Sequence, residues 1–196
     1  GRTAVAVSAG EEHTCAILGN GSLMCWGGDT YGQVGDGGSN SLSASSTPVS
    51  VNLGTGRTAL AVSAGHEHTC AILDNGNLSC WGRDSYGAVG NGPLGSVGSP
   101  ASVDLGTGRT AVAVSAGYLH TCAILDNGDL KCWGRDNNGQ LGDGGSSADT
   151  NAPSLTAIDF GTGRTAVAVS AGDYHTCAIL DNGDLKCWGY DYYGHL

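Results

Sequence analysis

Short apolar runs separated by polar, glycine-rich segments recur along the whole chain. A typical run is Ala-Val-Ala-Val-Ser-Ala at 111–116, and a second apolar segment follows at 122–125. Runs of this kind are typical of β-strands of about five residues, and the Asn-Gly, Asp-Gly and Gly-Gly pairs between them are typical of turns. No window shows the apolar spacing of an amphipathic helix. With 35 glycines among 196 residues, the pattern predicts an all-β fold.

The same pattern of segments occurs four times along the chain. Each repeat opens with Gly-Arg-Thr-Ala and continues with an apolar run, a cysteine hairpin, a Gly-rich stretch and a Pro-led extended piece. We place the repeats at 1–55, 56–107, 108–162 and 163–196, and the last stops before its Pro-led piece. A period of about 50 residues is typical of propeller blades or of a solenoid. The sequence therefore predicts one propeller-like domain of four tandem repeats, the last of them incomplete.

The hairpin of each repeat carries two of the eight cysteines. In the second repeat, a three-residue loop at 74–76 with Gly76 in the left-handed conformation places Cys70 directly opposite Cys80. Directly opposed residues are about 4.5–5.5 Å apart at Cα, a distance that a disulfide spans. We predict four hairpin disulfides, Cys15–Cys25, Cys70–Cys80, Cys122–Cys132 and Cys177–Cys187.

These disulfides predict an oxidising compartment, which is extracellular, periplasmic or at the cell surface. One alternative is a cytosolic protein with eight reduced cysteines, but the strict pairing argues against it. Zinc is a second alternative, and the cysteine spacing is longer than that of structural zinc sites. Calcium at the acidic turns is a third, yet no segment has the ligand spacing of a calcium loop. We therefore expect an extracellular or cell-surface protein without a metal or another cofactor.

Both faces of the hairpin carry apolar side chains. Cys70, Ile72 and Leu78 share one face, because side chains alternate along a strand. The other face holds Thr69, Ala71 and Trp81. Both faces must be covered, which blades stacked around an axis achieve and an isolated sheet does not. We expect the repeated tryptophans to pack between blades; they are Trp26, Trp81, Trp133 and Trp188.

A longer motif runs from 116 to 144. It reads Ala-Gly-x-x-His-Thr-x-Ala-Ile-Leu, then Gly-x-Leu-x-x-Trp-Gly, then Gly-Gln-Leu-Gly-x-Gly. In this motif the chain resembles the regulator of chromosome condensation repeat family, and the resemblance extends over all the repeats. It implies a β-propeller with blades of four antiparallel strands. The cysteine-bearing version is more similar to extracellular bacterial repeats of the family than to its nuclear founding member.

The charge of the chain excludes one function of that family. The best-known member activates a nuclear small GTPase on chromatin, whereas this chain has a net charge of −10 and only 8 basic residues. No basic tail or stripe is present to neutralise phosphates, so we expect no nucleic-acid partner. No apolar run approaches the ~18 residues of a membrane span.

Catalysis is not expected either. His68 and Cys70 lie two positions apart on one strand face, which resembles a Cys–His dyad, but the arrangement recurs in every repeat and each Cys has a Cys partner. No free thiolate is then left as a nucleophile. We interpret the repeated histidines as structural residues that hydrogen-bond within each blade; they are His13, His68, His120 and His175.

The positions that differ between repeats are the candidate contacts with a partner, because function in a repeat scaffold concentrates in its variable loops. One set follows each Ala-Gly and consists of Glu11, Glu12, His66, Glu67, Tyr118, Leu119, Asp173 and Tyr174. The other set follows each Cys-Trp-Gly and consists of Tyr31, Tyr86, Tyr190, Tyr192 and Tyr193. Tyrosine is common at protein contacts, although ordinary solvent-facing loops remain the alternative. Asn20 and Asn77 match the N-glycosylation pattern.

Two functions follow from these observations. The first is a non-enzymatic, extracellular structural or assembly protein, which associates with further copies of itself or with the rest of a longer propeller into a ring or a fibre. The alternative is a secreted propeller that binds a specific protein through its variable loops, as an inhibitor or adhesin does.

Overall fold

A computed structural model describes residues 3–38, 44–145, 148–154 and 156–196. The described residues form fourteen strands. None of their segments is a helix long and apolar enough to cross a membrane. The strands are β1 (Ala4–Ala9), β2 (His13–Leu18), β3 (Leu23–Gly27), β4 (Ser45–Ser50), β5 (Ala59–Ala64), β6 (His68–Leu73), β7 (Leu78–Gly82), β8 (Val97–Ser102), β9 (Ala111–Ala116), β10 (His120–Leu125), β11 (Leu130–Gly134), β12 (Ala166–Ala171), β13 (His175–Leu180) and β14 (Leu185–Gly189).

The strands form four separate antiparallel sheets, one for each repeat. Strands β1–β4 and β5–β8 pair in sequence order in two four-stranded sheets, while β9–β11 and β12–β14 form three-stranded sheets. We refer to these sheets as blades 1 to 4. The all-β fold and its antiparallel blades are confirmed, and the sheets do not close into a ring among the described residues.

Blade 3 differs from the expected four strands. Its outer edge carries one isolated bridge between Gly134 and Thr150, and the Ile158 amide donates a hydrogen bond of 2.9 Å to the Leu130 carbonyl. The chain therefore follows this edge through separate hydrogen bonds instead of a regular fourth strand.

The hairpin register is the one that the turn predicts. Cys70 pairs with Cys80 and Ile72 with Leu78 across β6 and β7, and Gly76 has a φ of +79° in the loop. The cysteines form four disulfides, Cys15–Cys25, Cys70–Cys80, Cys122–Cys132 and Cys177–Cys187. Each one links adjacent strands of a single blade.

The core lies between the blades. One apolar cluster combines Leu78 and Val89 of blade 2 with Ala123 and Trp133 of blade 3, and equivalent clusters join blades 1 and 2 and blades 3 and 4. In the two central blades, the second and third strands are buried at every position. Burial on both faces is thus confirmed where a blade has two neighbours.

Replacing Cys122 and Cys132 together by Ala should lower the free energy of unfolding by about 2.5–3 kcal/mol, because the denatured chain regains the entropy of the closed loop. Urea unfolding of the oxidised protein measures the change. The pair Cys177 and Cys187 is the control, since it closes a loop with the same separation of 10 residues but is half-buried. A loss below about 1 kcal/mol at both pairs would contradict loop entropy as the cause.

Candidate protein-binding surface

Two loops of each repeat lie at the same end of its blade. The second strand begins where the third strand ends, as the pairing of His68 with Gly82 shows. The residue pair before each His-Thr and the segment after each Cys-Trp-Gly are therefore neighbours in space. We call the surface that they form the loop face. Hydrogen bonds between neighbouring blades hold the loop face in place.

The side chains of His13, His68 and His120 connect blades instead of bonding within them, so the sequence interpretation was wrong for these three histidines. His68 Nε2 lies 2.8 Å from Thr121 Oγ1 of the next blade, and the same contact joins His13 to Thr69 at 2.8 Å and His120 to Thr176 at 2.9 Å. Stacking places the His of one blade against the Thr of the next blade. The sequence of a single repeat does not show this pairing.

The threonine hydroxyl fixes the protonation of these histidines. Thr121 Oγ1 donates its proton to the Ala88 carbonyl oxygen at 2.8 Å, so it accepts from His68 Nε2–H. His68 Nδ1 is buried without a hydrogen-bond partner in the described structure. Burial lowers the pKa of His68 to about 3 and the pKa values of His13 and His120 to about 4. These side chains are neutral supports of the loop face.

Tryptophan and aspartate complete the support. Trp133 Nε1 donates to the Ala88 carbonyl at 3.0 Å, across the interface between blades 2 and 3. Asp84 Oδ1 accepts from the Val89 amide at 2.8 Å and closes the segment after β7. Burial raises the pKa of Asp84 to about 6. This aspartate was not among the site residues predicted from the sequence, although its recurrence is visible as Asp29, Asp84, Asp136 and Asp191.

A continuous row of aromatic rings crosses the loop face. The centroid of the His66 ring is 4.0 Å from that of Tyr118, which is 5.3 Å from Tyr174. Tyr174 is 6.3 Å from Tyr190, and Tyr190 is 6.2 Å from Tyr192. We call these rings, together with Tyr193, the aromatic row. Tyr192 is 74% exposed and Tyr193 is 82% exposed, so the row ends in solvent.

Tyr31 and Tyr86, in contrast, make contacts between blades. The Arg83 guanidinium carbon lies 4.8 Å from the centroid of the Tyr31 ring, and that of Arg135 lies 4.8 Å from the centroid of Tyr86. Each arginine thus covers the tyrosine of the preceding blade. Both tyrosines are half-buried, so they offer less area to a partner than Tyr192 and Tyr193 at the exposed end of the row.

The acidic candidates form an ion-pair network beside the row. His66 Nε2 contacts the Glu11 carboxylate, while His66 Nδ1 lies 3.4 Å from the Glu67 carboxylate. These three side chains each place one ligand atom within 4.8 Å of the others. Glu67 is also paired with Arg83, and this positive charge opposes a metal ion at the same carboxylate. The arrangement is better explained as a His66–Glu11 contact between blades 1 and 2 and a Glu67–Arg83 ion pair within blade 2.

The remaining candidate residues differ in their exposure and in their distance from the loop face. Leu119 is only 3% exposed, so the expectation that it contacts a partner was wrong: its apolar side chain leaves solvent where repeats 1 and 2 have glutamate. Glu12 and Asp173 are exposed. Both glycosylation candidates lie away from the loop face, at the hairpin turns, where Asn20 and Asn77 are exposed. Ser79, the hydroxyl residue that follows Asn77, is buried at 7% exposure in β7.

Comparison with known proteins gives a consistent family. Two models described as the regulator of chromosome condensation (RCC1) repeat match the chain, one at 4–33, 60–88, 111–140 and 166–194 and the other at 20–72, 75–124 and 127–179. The ultraviolet-B receptor UVR8 of Arabidopsis thaliana is 30% identical over 190 residues, which are 97% of this chain and 42% of the receptor. The E3 ubiquitin-protein ligase HERC2 of Homo sapiens is 28% identical over 174 residues, which are 89% of this chain and 4% of the ligase.

The solved structures agree on the fold. Prp20p from Saccharomyces cerevisiae superimposes with a TM-score of 0.78 at 23% identity, over 87% of this chain and 42% of that chain. Human WBSCR16 superimposes with a TM-score of 0.83 at 21% identity, over 97% of this chain and 48% of that chain. The chain spans less than half the length of these relatives. It belongs to the family of regulator of chromosome condensation (RCC1) repeat proteins.

Proposed function

We propose that this chain is a non-catalytic, extracellular protein-binding unit whose loop face contacts the partner. The aromatic row carries the proposal. It crosses the loops of blades 2, 3 and 4, and it ends in Tyr192 and Tyr193, which are 74% and 82% exposed. Tyrosine rings supply large, rigid contact area at a low cost in conformational entropy, and here disulfide-linked blades hold them in place.

Other observations support a binding role without catalysis. Within the described residues, every cysteine is in a disulfide, and the buried histidines have lowered pKa values and serve as hydrogen-bond donors to threonine. No activated nucleophile therefore stands on the loop face. Among the relatives, Prp20p was solved in a study of its binding to Gsp1p and histones, which is binding of proteins by the same fold.

The extracellular part of the proposal has its own test. Persistent disulfides require an oxidising environment, so protein isolated without reductant and titrated for thiols under denaturing conditions should show no free thiol. Addition of reductant should then release eight thiols, one from each cysteine. Eight free thiols before reduction would contradict an extracellular location.

Selection from a random peptide display library tests the loop face. Peptides that bind the wild-type chain should bind the double variant Tyr192→Ala and Tyr193→Ala at least about tenfold more weakly, because truncation of interface tyrosines costs more than about 1 kcal/mol. Val112→Ala is the control, since Val112 is 61% exposed on β9. Peptides that bind both variants as tightly as wild type would show that the loop face is not the binding surface.

A second candidate function is blade-to-blade assembly, and uncovered apolar surface on the outer blades favours it. Leu185 in blade 4 is 65% exposed, while its equivalents Leu78 and Leu130 are fully buried. Ile179 is 43% exposed, against 3% for Ile72. Apolar surface of this kind is a site for association. Further copies of the chain, or further blades of a longer propeller, would cover it.

The repeated interface shows how a second copy would fit. Ser8 Oγ accepts from the Ala64 amide at 2.9 Å, and Ser115 Oγ accepts from the Ala171 amide at 2.9 Å. Blade 4 offers the equivalent Ser170 and His175, and blade 1 offers the equivalent Thr14. A head-to-tail contact would repeat the hydrogen bonds between described blades, and such heterologous contacts form rings or filaments.

Light scattering after size exclusion tests assembly. The wild-type chain should associate as its concentration rises, and Leu185→Asp should remain a monomer because it places a charge in the proposed contact. Leu94→Asp is the matched control, since Leu94 is 61% exposed outside this face. A wild-type monomer at every concentration, or equal behaviour of the two variants, would exclude assembly through blade 4.

A further inference from the structure

The loop face already contains an occupied guanidinium site. The guanidinium of Arg83 stacks on the Tyr31 ring at 4.8 Å from its centroid, and it donates a hydrogen bond to the Glu67 carboxylate. An aromatic ring below the guanidinium and a carboxylate beside it are the two features that recognise arginine. Arg135 repeats the stacking on Tyr86, also at 4.8 Å. In both cases the next blade along supplies the cation.

Repeat 4 departs from this pattern, because Tyr190 stands where repeats 2 and 3 have Arg83 and Arg135. Repeat 4 therefore supplies a ring, and no guanidinium, at this position. A cleft of about 630 Å³ lies at this position, with Asp173, Tyr174, Tyr190 and Tyr193 in its lining. Arg135 is also in the lining, but its guanidinium is stacked on Tyr86.

The cleft has a carboxylate that is available to a ligand. Asp173 is exposed, and in the described part of the chain its carboxylate is in no ion pair. The ring of Tyr174, next to it in sequence, is half-buried and held between Tyr118 and Tyr190. An aromatic ring and a carboxylate are the two kinds of group that surround Arg83, and here Tyr174 and Asp173 supply them from other positions of the repeat.

We propose that this cleft binds an arginine side chain of the protein partner. The inference rests on the proposed protein-binding function and adds the chemistry of the partner. The guanidinium stacks on Tyr174 or Tyr190 and donates to the Asp173 carboxylate. Arginine is preferred to lysine, because a planar guanidinium stacks on aromatic rings and forms paired hydrogen bonds. The net charge of −10 attracts a cationic segment and accelerates its encounter with this face.

An NMR titration with N-acetyl-arginine amide tests the proposal, because the amide signals of the cleft residues report binding individually. We expect saturable shifts at Asp173, Tyr174 and Tyr190. The citrulline analogue, which has the same shape without the charge, should produce none. Asp173→Asn should weaken binding about tenfold, as the loss of a charge-assisted hydrogen bond implies. Tyr174→Leu should weaken it about two- to fivefold, and Leu already stands at the equivalent position 119.

Asp104→Asn is the control, because Asp104 is exposed away from the cleft. Equal shifts with citrulline, no saturation with arginine, or equal effects of the two aspartate substitutions would each overturn the arginine site. The peptides selected by display distinguish failure of the arginine proposal from failure of the proposed protein-binding function. Peptides that need the aromatic row but lack arginine would remove the arginine proposal alone, whereas peptides that ignore the row would remove the proposed function.

Discussion

Gly90→Ala should lower the free energy of unfolding by about 2–5 kcal/mol, which combines left-handed backbone strain with overpacking. Gly90 has a φ of +76°, and a Cβ built there would lie 2.8 Å from Cδ1 of Trp133. Trp133 is fully buried and its indole donates to the Ala88 carbonyl. The ring therefore has no free space to enter and loses a hydrogen bond if it moves. Urea unfolding at neutral pH measures the effect.

Gly92→Ala separates strain from overpacking. Gly92 has a φ of +94°, but a Cβ there meets no atom within 4 Å. This variant should therefore lose only the backbone contribution, about 1–2 kcal/mol. Equal losses in the two variants would mean that Trp133 adapts without cost, and the tight contact between the Gly-rich segment of blade 2 and the tryptophan of blade 3 would then not limit stability.

The hairpins could be predicted from sequence because their determinants are local. The loop at 74–76 needs a residue with positive φ at Gly76, and this requirement fixes which residues of the two strands face each other. Cys70 and Cys80 then meet without any information from the rest of the chain. Apolar residues on both faces of the same hairpin also predicted stacking, since exposed apolar faces are unfavourable.

The contacts between blades could not be predicted in the same way. His68 finds Thr121 only when blade 3 is placed against blade 2, and nothing within one repeat specifies that partner. The burial of Leu119 and the irregular outer edge of blade 3 likewise depend on how neighbouring segments pack. The aromatic row is an intermediate case: its tyrosines were identified as variable positions, but their contact across three blades follows from the stacking.

Acidification from about pH 7.5 to about pH 5 should destabilise the fold by about 2 kcal/mol for each of His13, His68 and His120. Their pKa values in the folded state, about 4, 3 and 4, lie below the ordinary value of 6.5. Below pH 6.5 the unfolded chain therefore binds protons that the folded chain does not, and stability falls until the pH reaches the folded pKa values. The raised pKa of Asp84 acts in the opposite direction and offsets part of the loss. The free energy of unfolding in urea at several pH values measures the net change.

His68→Gln assigns this dependence to the contacts between blades. Glutamine retains an N–H that donates to Thr121 but does not titrate, so the variant should lose about a third of the pH-dependent change while its stability at neutral pH also falls. An unaltered pH profile in His68→Gln would place the acid sensitivity in other groups. The hydrogen bond between neutral His68 and Thr121 would then not be the cause of the loss of stability at acidic pH.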